Sequence, residues 1–201
     1  MPRVTHVMKA RKANPHFGIE VGDSYYWWKF RYGGKRVSKT YPKQSQLTQS
    51  EYLGRLYAFN EEYESRVQWN ESTVTTKEDV EWWESEVDEL KQEFYDLAEE
   101  LQTDTQDKLD NMPEQLQYAP TGELLQERID QMDEMMSNLD GISNDIDTSD
   151  FPDGEDLDTA DYEFEDDYRE AIEDMQKEWI EERCTQIENV LEEISCAIND
   201  Y

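Results

Sequence analysis

The chain has 201 residues, enough for one domain or a small module joined to a larger one, and with 36% hydrophobic and 34% charged side chains its core must be thin. No apolar run approaches the roughly eighteen residues of a membrane span and the N-terminus has no apolar signal region, so the sequence reads as a soluble, cytoplasmic protein without a membrane partner. Its two cysteines, Cys184 and Cys196, form neither a metal-ligand pair nor a disulfide framework; reduced thiols and no cofactor are the expectation.

The formal charge of −31 is unevenly spread. Residues 1–49 hold ten lysines and arginines against Glu20 and Asp23, a net +8, while the remainder holds nine against forty-eight acids, a net −39. Such asymmetry is a prior for contact with nucleic acid or with proteins that bind it. It divides the chain into a basic aromatic β module, residues 1–47, and an acidic helical bundle, residues 48–201, with an acidic connector at about 144–160.

In the basic module, Lys9-Ala10-Arg11-Lys12 reads as a cationic arm and "FGIEVGD" (17–23) as a third short strand beside a hairpin. The hairpin is "SYYWWKFRYGGKRVSKTYP" (24–42), with Gly33-Gly34 as a two-residue turn that pairs Tyr32 with Lys35, Phe30 with Val37 and Trp28 with Lys39. Alternation then puts Tyr26, Trp28, Phe30, Tyr32, Val37 and Tyr41 on a core face, and Tyr25, Trp27, Lys29, Arg31, Arg36, Ser38 and Thr40 on the other. Cations around an aromatic suit phosphate contact and base stacking. The candidate nucleic-acid-binding residues are Lys9, Arg11, Lys12, Trp27, Lys29, Arg31, Lys35 and Arg36. Against this stand two plainer roles for the cations, solubilising a small sheet or docking onto the acidic remainder of the chain.

The Lys-Ala-Arg-Lys start, the Gly-acid-x-Tyr segment (Gly22 to Tyr25), the basic Gly-Gly turn and the Ser-x-Leu-Thr helix start (Ser45 to Thr48) resemble a family of small tailed-bacteriophage proteins. Some members look like zinc ribbons, with a Cys-x-x-Cys before the hairpin and another after it. Here the second pair would fall near Ser38 and Tyr41 and no cysteine precedes Cys184, so the resemblance implies a ribbon without its zinc. The segment is also similar, more weakly, to the three-stranded arm-binding sheets of phage-type integrases.

Beyond residue 47 the hydrophobic period becomes helical. Thr48 or Ser50 caps a helix with the stripe Tyr52, Leu56, Phe59, Tyr63 and Val67. Thr76-Lys77-Glu78-Asp79 reads as a capping box, and Val80, Trp83, Val87, Leu90, Phe94, Leu97 and Leu101 follow in alternating steps of three and four, as in a coiled-coil seam; Pro113 marks the end. A third helix begins near Thr121 with Leu125, Ile129, Met132, Met136, Leu139 and Ile146 near one face. A fourth runs from about residue 159, through Tyr168, Ile172, Met175 and Trp179 and then Ile180, Cys184, Ile187, Leu191, Ile194 and Ile198. The expected fold is thus α+β, mostly α: a small N-terminal antiparallel sheet and an elongated acidic bundle or coiled coil of three to four helices. Dimerisation through the a/d seam is one way to complete it.

The acids are dense enough to matter. Over residues 50–201, −39 corresponds to one net charge per roughly 5.8 Å of helix at about 1.5 Å per residue. Three helices abreast would carry one per about 1.9 Å, close to the ~1.7 Å of duplex DNA. The plain alternative is a solubilising acidic surface. No phosphate loop, nucleophile elbow or His-Glu-x-x-His motif occurs, and an EF-hand alignment on Gly154 puts Phe151 and Ala160 at ligand positions. The sequence therefore reads as a non-enzymatic, phage-type interaction protein. Its basic hairpin would contact nucleic acid while the acidic helices recruit protein, or the acids would mimic DNA and capture a host DNA-binding or defence enzyme.

Overall fold

A computed structural model of the chain describes residues 1–153, 157 and 164–199. They form an N-terminal antiparallel sheet followed by helices, grouped into two compact units, Met1–Gln68 and Trp69–Tyr201. Among the described residues no helix is long and apolar enough to cross a membrane.

In the first unit, β1 (Thr5–Val7), β2 (Tyr25–Lys29) and β3 (Lys35–Ser38) form a sheet of order β1-β2-β3. The third strand is thus Thr5–Val7 and not the 17–23 segment. That segment instead closes a loop: Asn14 and Ile19 bridge around a 3-10 turn at Pro15–Phe17, with Gly18 left-handed at φ 60°. Lys9–Lys12 is no free arm either, because Ala10 is buried and its N–H donates to Asp23 O while its carbonyl accepts from Gly22 N.

The hairpin register differs from the two-residue turn. Lys29 faces Lys35, Trp28 faces Arg36, Trp27 faces Val37 and Tyr26 faces Ser38, so residues 30–34 form the connection. A type I′ turn needs positive φ at both central residues. Gly33 has it, at φ 150°, whereas Gly34 does not. Gln49 holds the longer loop by donating from Nε2 to Tyr32 O (2.6 Å), and a Cβ on Gly33 would crowd that amide at 3.4 Å. The shift from the expected pairing is odd, which exchanges the faces of one strand relative to the other. Tyr26 and Trp28 therefore share a face with Arg36 and Ser38, while Tyr25, Trp27 and Lys29 share theirs with Lys35 and Val37.

A helix completes this unit. Trp28 Nε1 donates to Gln46 O (3.2 Å) in a 3-10 turn at Gln44–Leu47, and Ser45 donates from N and Oγ to the Glu61 carboxylate on α1, Glu51–Arg66 (2.9 and 2.7 Å). Ser50 is the cap, its Oγ accepting from Leu53 N, and Tyr52, Leu56 and Tyr63 are buried. The boundary between units thus falls after α1, nineteen residues beyond the break in charge, because these contacts attach the helix to the sheet.

The second unit packs α2 (Lys77–Asp110) against α4 (Pro120–Gly141) and α5 (Glu165–Asn199), with a short α3 (Glu114–Gln117) between the first two. Thr76 and Asp79 form the capping box; Asp79 also accepts from Thr75 N, which holds its carboxyl below the usual range. Val80, Trp83, Val87, Leu90, Phe94 and Leu101 are buried as the seam requires, but Ala98 replaces Leu97 because a straight helix turns every 3.6 residues and drifts from a 3.5-residue repeat. In α4 Met132 is buried as expected, and Met135 is buried in place of the expected Met136. α4 and α5 of the same chain cover the α2 seam, so the seam expected to serve a homodimer is used internally. The tight α3–α4 join requires Gly122, where a Cβ would lie 2.0 Å from Gln117 O. The expected start of the last helix near 159, and Gly154 and Ala160 of the EF-hand alignment, lie outside the described residues.

Residues 142–153, which include the described start of the acidic connector, are strapped to the bundle. Lys91 Nζ donates to Ile142 O (2.6 Å), Asn144 Nδ2 to Glu84 O (3.3 Å), and Ile142 and Ile146 are buried. Arg183, 5% exposed on α5, donates from Nε to Asp147 O (2.7 Å) and from one terminal nitrogen to both Asp150 oxygens (2.8 and 3.0 Å), with its guanidinium 5.0 Å from the Trp179 ring. Trp179 Nε1 also donates to Asp150 (2.7 Å), and these bonds hold the Asp150 carboxyl below the usual range. The adjacent Cys184 is the buried small hydrophobe that its place in the stripe suggests; burial, with Glu71 and Glu181 nearby, pushes its thiol up to about 11.

Candidate nucleic-acid interface

The basic unit gathers its cations through the loop that returns from β1 to β2. Because Ala10 is pinned to Gly22 and Asp23, the flanking Lys9, Arg11 and Lys12 stand on a fixed backbone. They line a cavity of about 450 Å³ together with Lys35 of β3, and its apolar lining includes Tyr25 and Phe17. Lys35 and Tyr25 reach the same cavity because the observed register puts both on one face. The two-residue turn would have separated them.

No carboxylate lines the cavity, and among the described residues none of the four cations is ion-paired. Two acids of this region are engaged elsewhere: Asp23 with Lys39 (3.0 Å) and Glu20 N (3.0 Å), and Glu61 with Ser45 and, at 4.0 Å, Lys43. The hydrogen bond from Glu20 N, then that from Lys39, holds the Asp23 carboxyl low, so it stays ionised and committed to Lys39. The cavity therefore keeps an unneutralised positive charge, and a concave low-dielectric surface concentrates such a field.

The remaining candidates are divided. Trp27 lies on the cavity's side of the sheet, but Lys35 Nζ sits 4.4 Å from its ring centroid, so that ring carries a cation–π contact. Lys29 and Arg31 line a second cavity of about 440 Å³ with Leu53 and Tyr57 of α1, and Arg31 lies 5.3 Å from the Tyr32 ring. Arg36, assigned by alternation to the cationic face, lies on the opposite side and leans on Phe30 at 5.1 Å. Phe30 is half-buried and Tyr32 is exposed, so the expected core face ends at Trp28. Phe17 is the aromatic lining residue that sequence reasoning did not associate with the site. Its signal was Asn14-Pro15 followed by Gly18, turn chemistry that argues for a loop folding back over the sheet.

No family model matches the chain, and neither the curated proteins nor the solved structures give a match.

Proposed function

We propose that this is a non-enzymatic, phage-type interaction protein of the host-cell cytoplasm, whose first unit contacts nucleic acid and whose acidic helices recruit or assemble protein partners. The observation that carries the reading is the cavity lined by Lys9, Arg11, Lys12 and Lys35 with no carboxylate in its wall. Each cation that meets a phosphate releases condensed counterions, so affinity from such a site is strongly salt-dependent. Lys29 and Arg31 at the second cavity extend the contact along a strand, and Arg36 reaches phosphates on the other side of the sheet.

A second reading gives the function to the other unit, as a DNA mimic that captures a host DNA-binding or defence enzyme. Residues 69–201 hold seven cationic side chains against forty-four acids, a net −37, and α2, α4 and α5 of this unit pack together.

Full-length protein titrated into fluorescein-labelled single- and double-stranded DNA and RNA, in a salt series, decides between them. Under the first reading the protein raises the anisotropy. The quadruple variant Lys9→Ala, Arg11→Ala, Lys12→Ala, Lys35→Ala loses about a hundredfold in affinity, and its salt slope falls by about three. Absence of binding at low salt by a folded wild-type chain overturns that reading and leaves the mimic, to be pursued by inhibition of DNA-binding enzymes.

A further inference from the structure

Resting on the nucleic-acid reading above, we infer that the cavity between the sheet and the 9–19 loop takes an unpaired nucleotide, so that the protein selects single strands over duplex. Three observations converge. The cavity's volume, about 450 Å³, is in the range of pockets that enclose small molecules, and its wall combines four cations with two aromatic rings. Those rings are free for a ligand: Tyr25 makes no ring contact among the described residues, and Phe17 makes only an edge contact with His16, at 4.7 Å. Trp27, the aromatic that the sequence singles out for stacking, is instead engaged by Lys35.

The geometry favours one state of nucleic acid. In a duplex each base is covered above and below by its neighbours and only phosphates, sugars and base edges face outward, so Tyr25 and Phe17 would meet no base face. An unpaired nucleotide has no such restriction; its base enters between apolar walls while its phosphates meet Lys9, Arg11, Lys12 and Lys35. Stacking on a ring tolerates any base, so Tyr25 and Phe17 discriminate strandedness rather than sequence, and Asn14 supplies the one side-chain amide of the lining.

The test compares labelled dT20, an unstructured 20-mer RNA and a blunt 20-bp DNA duplex against the full-length protein at one salt concentration. Single strands are expected to bind at least about tenfold tighter than the duplex, and a five-nucleotide overhang should restore affinity to that duplex. Tyr25→Leu and, separately, Phe17→Ala should each lower the single-strand to duplex ratio by about fivefold or more. Phe17 lies in an exposed turn, so its variant remains informative where the strand substitution fails to fold. Equal affinity for single strand and duplex overturns the inference and leaves the nucleic-acid reading standing. A single-strand preference unchanged in a folded Phe17→Ala variant removes it from this cavity. Failure to bind any probe overturns the parent reading as well.

Discussion

The two units treat cations in opposite ways. In residues 69–201 the seven lysines and arginines are all engaged: Lys77 with Glu81, Arg169 with Glu165 and Asp166, Lys177 with Glu181, Arg183 with Asp150 and Glu182, Lys91 with Ile142 O, and Lys108 and Arg128 likewise bound. In residues 1–68, twelve cations meet six acids, and four of the twelve surround one cavity with none opposite them. Ion pairing is what a stable surface does with charge by default, although each exposed pair contributes only about 0–1 kcal/mol. A group of cations left unpaired while nearby acids bind other partners is therefore more informative than net charge. In the acidic unit the informative group is a buried one, Arg183, and not the abundant surface carboxylates.

The sharpest way to test that contrast is to damage one unit and read the other. Phe94→Ala empties a fully buried position of α2 and should cost about 4 kcal/mol, lowering the bundle's thermal midpoint by roughly 12 °C. Nucleic-acid affinity at 20 °C should stay within about twofold; a parallel loss would mean that the binding surface is not confined to the first unit.

A smaller effect is expected at the connector. Arg183→Met keeps the apolar stem but removes the donors to Asp147 O and Asp150, and should cost about 2 kcal/mol. Asp150→Asn should cost less, because this carboxylate is largely exposed. Its contribution has a defined pH dependence. The carboxyl is held below its unfolded value of about 3.9, so the stabilisation is present in full above about pH 4 and is lost as pH falls through the lowered folded value. Thermal midpoints measured from pH 7 down to pH 2.5 should show the wild-type advantage over Asp150→Asn constant at first and then shrinking below about pH 4. An advantage that grew in acid would contradict the assignment.

The smallest perturbation is chemical. At pH 8 an aromatic disulfide reagent should modify one thiol, Cys196, in the native protein and a second, Cys184, only after unfolding, because the first is exposed and the second is buried with its thiol raised to about 11. Rapid modification of both would show that the base of the α5 stripe is open.

Most of the acidic unit was legible from the residues. A helix satisfies its backbone within itself, so the spacing of Val80, Trp83, Val87 and Leu90 states which side is buried before any partner is known, and Thr76 with Asp79 states where the helix starts. Two errors there were of one position, Ala98 for Leu97 and Met135 for Met136, and come from the small difference between 3.5 and 3.6 residues per turn; a larger one placed Ile146 on the third helix, which ends at Gly141. Arg183 was not legible as a tie, since its partners Asp147 and Asp150 lie more than thirty residues away.

The sheet was legible in content and misread in pairing. That Tyr25, Trp27 and Lys29 lie on one side of their strand follows from alternation, which is local. Which residues of the next strand join them depends on the length of the connection, and Gly33-Gly34 alone does not determine it: Gln49, outside the hairpin, holds Tyr32 O and with it the longer loop. The sequence by itself determined the split of charge, the helical stripes, the caps and the supply of cations and aromatics. Only the tertiary structure decided that Lys35 rather than Arg36 joins Lys9, Arg11 and Lys12, because a cavity wall is assembled from segments whose register is set by hydrogen bonds between residues distant in the chain.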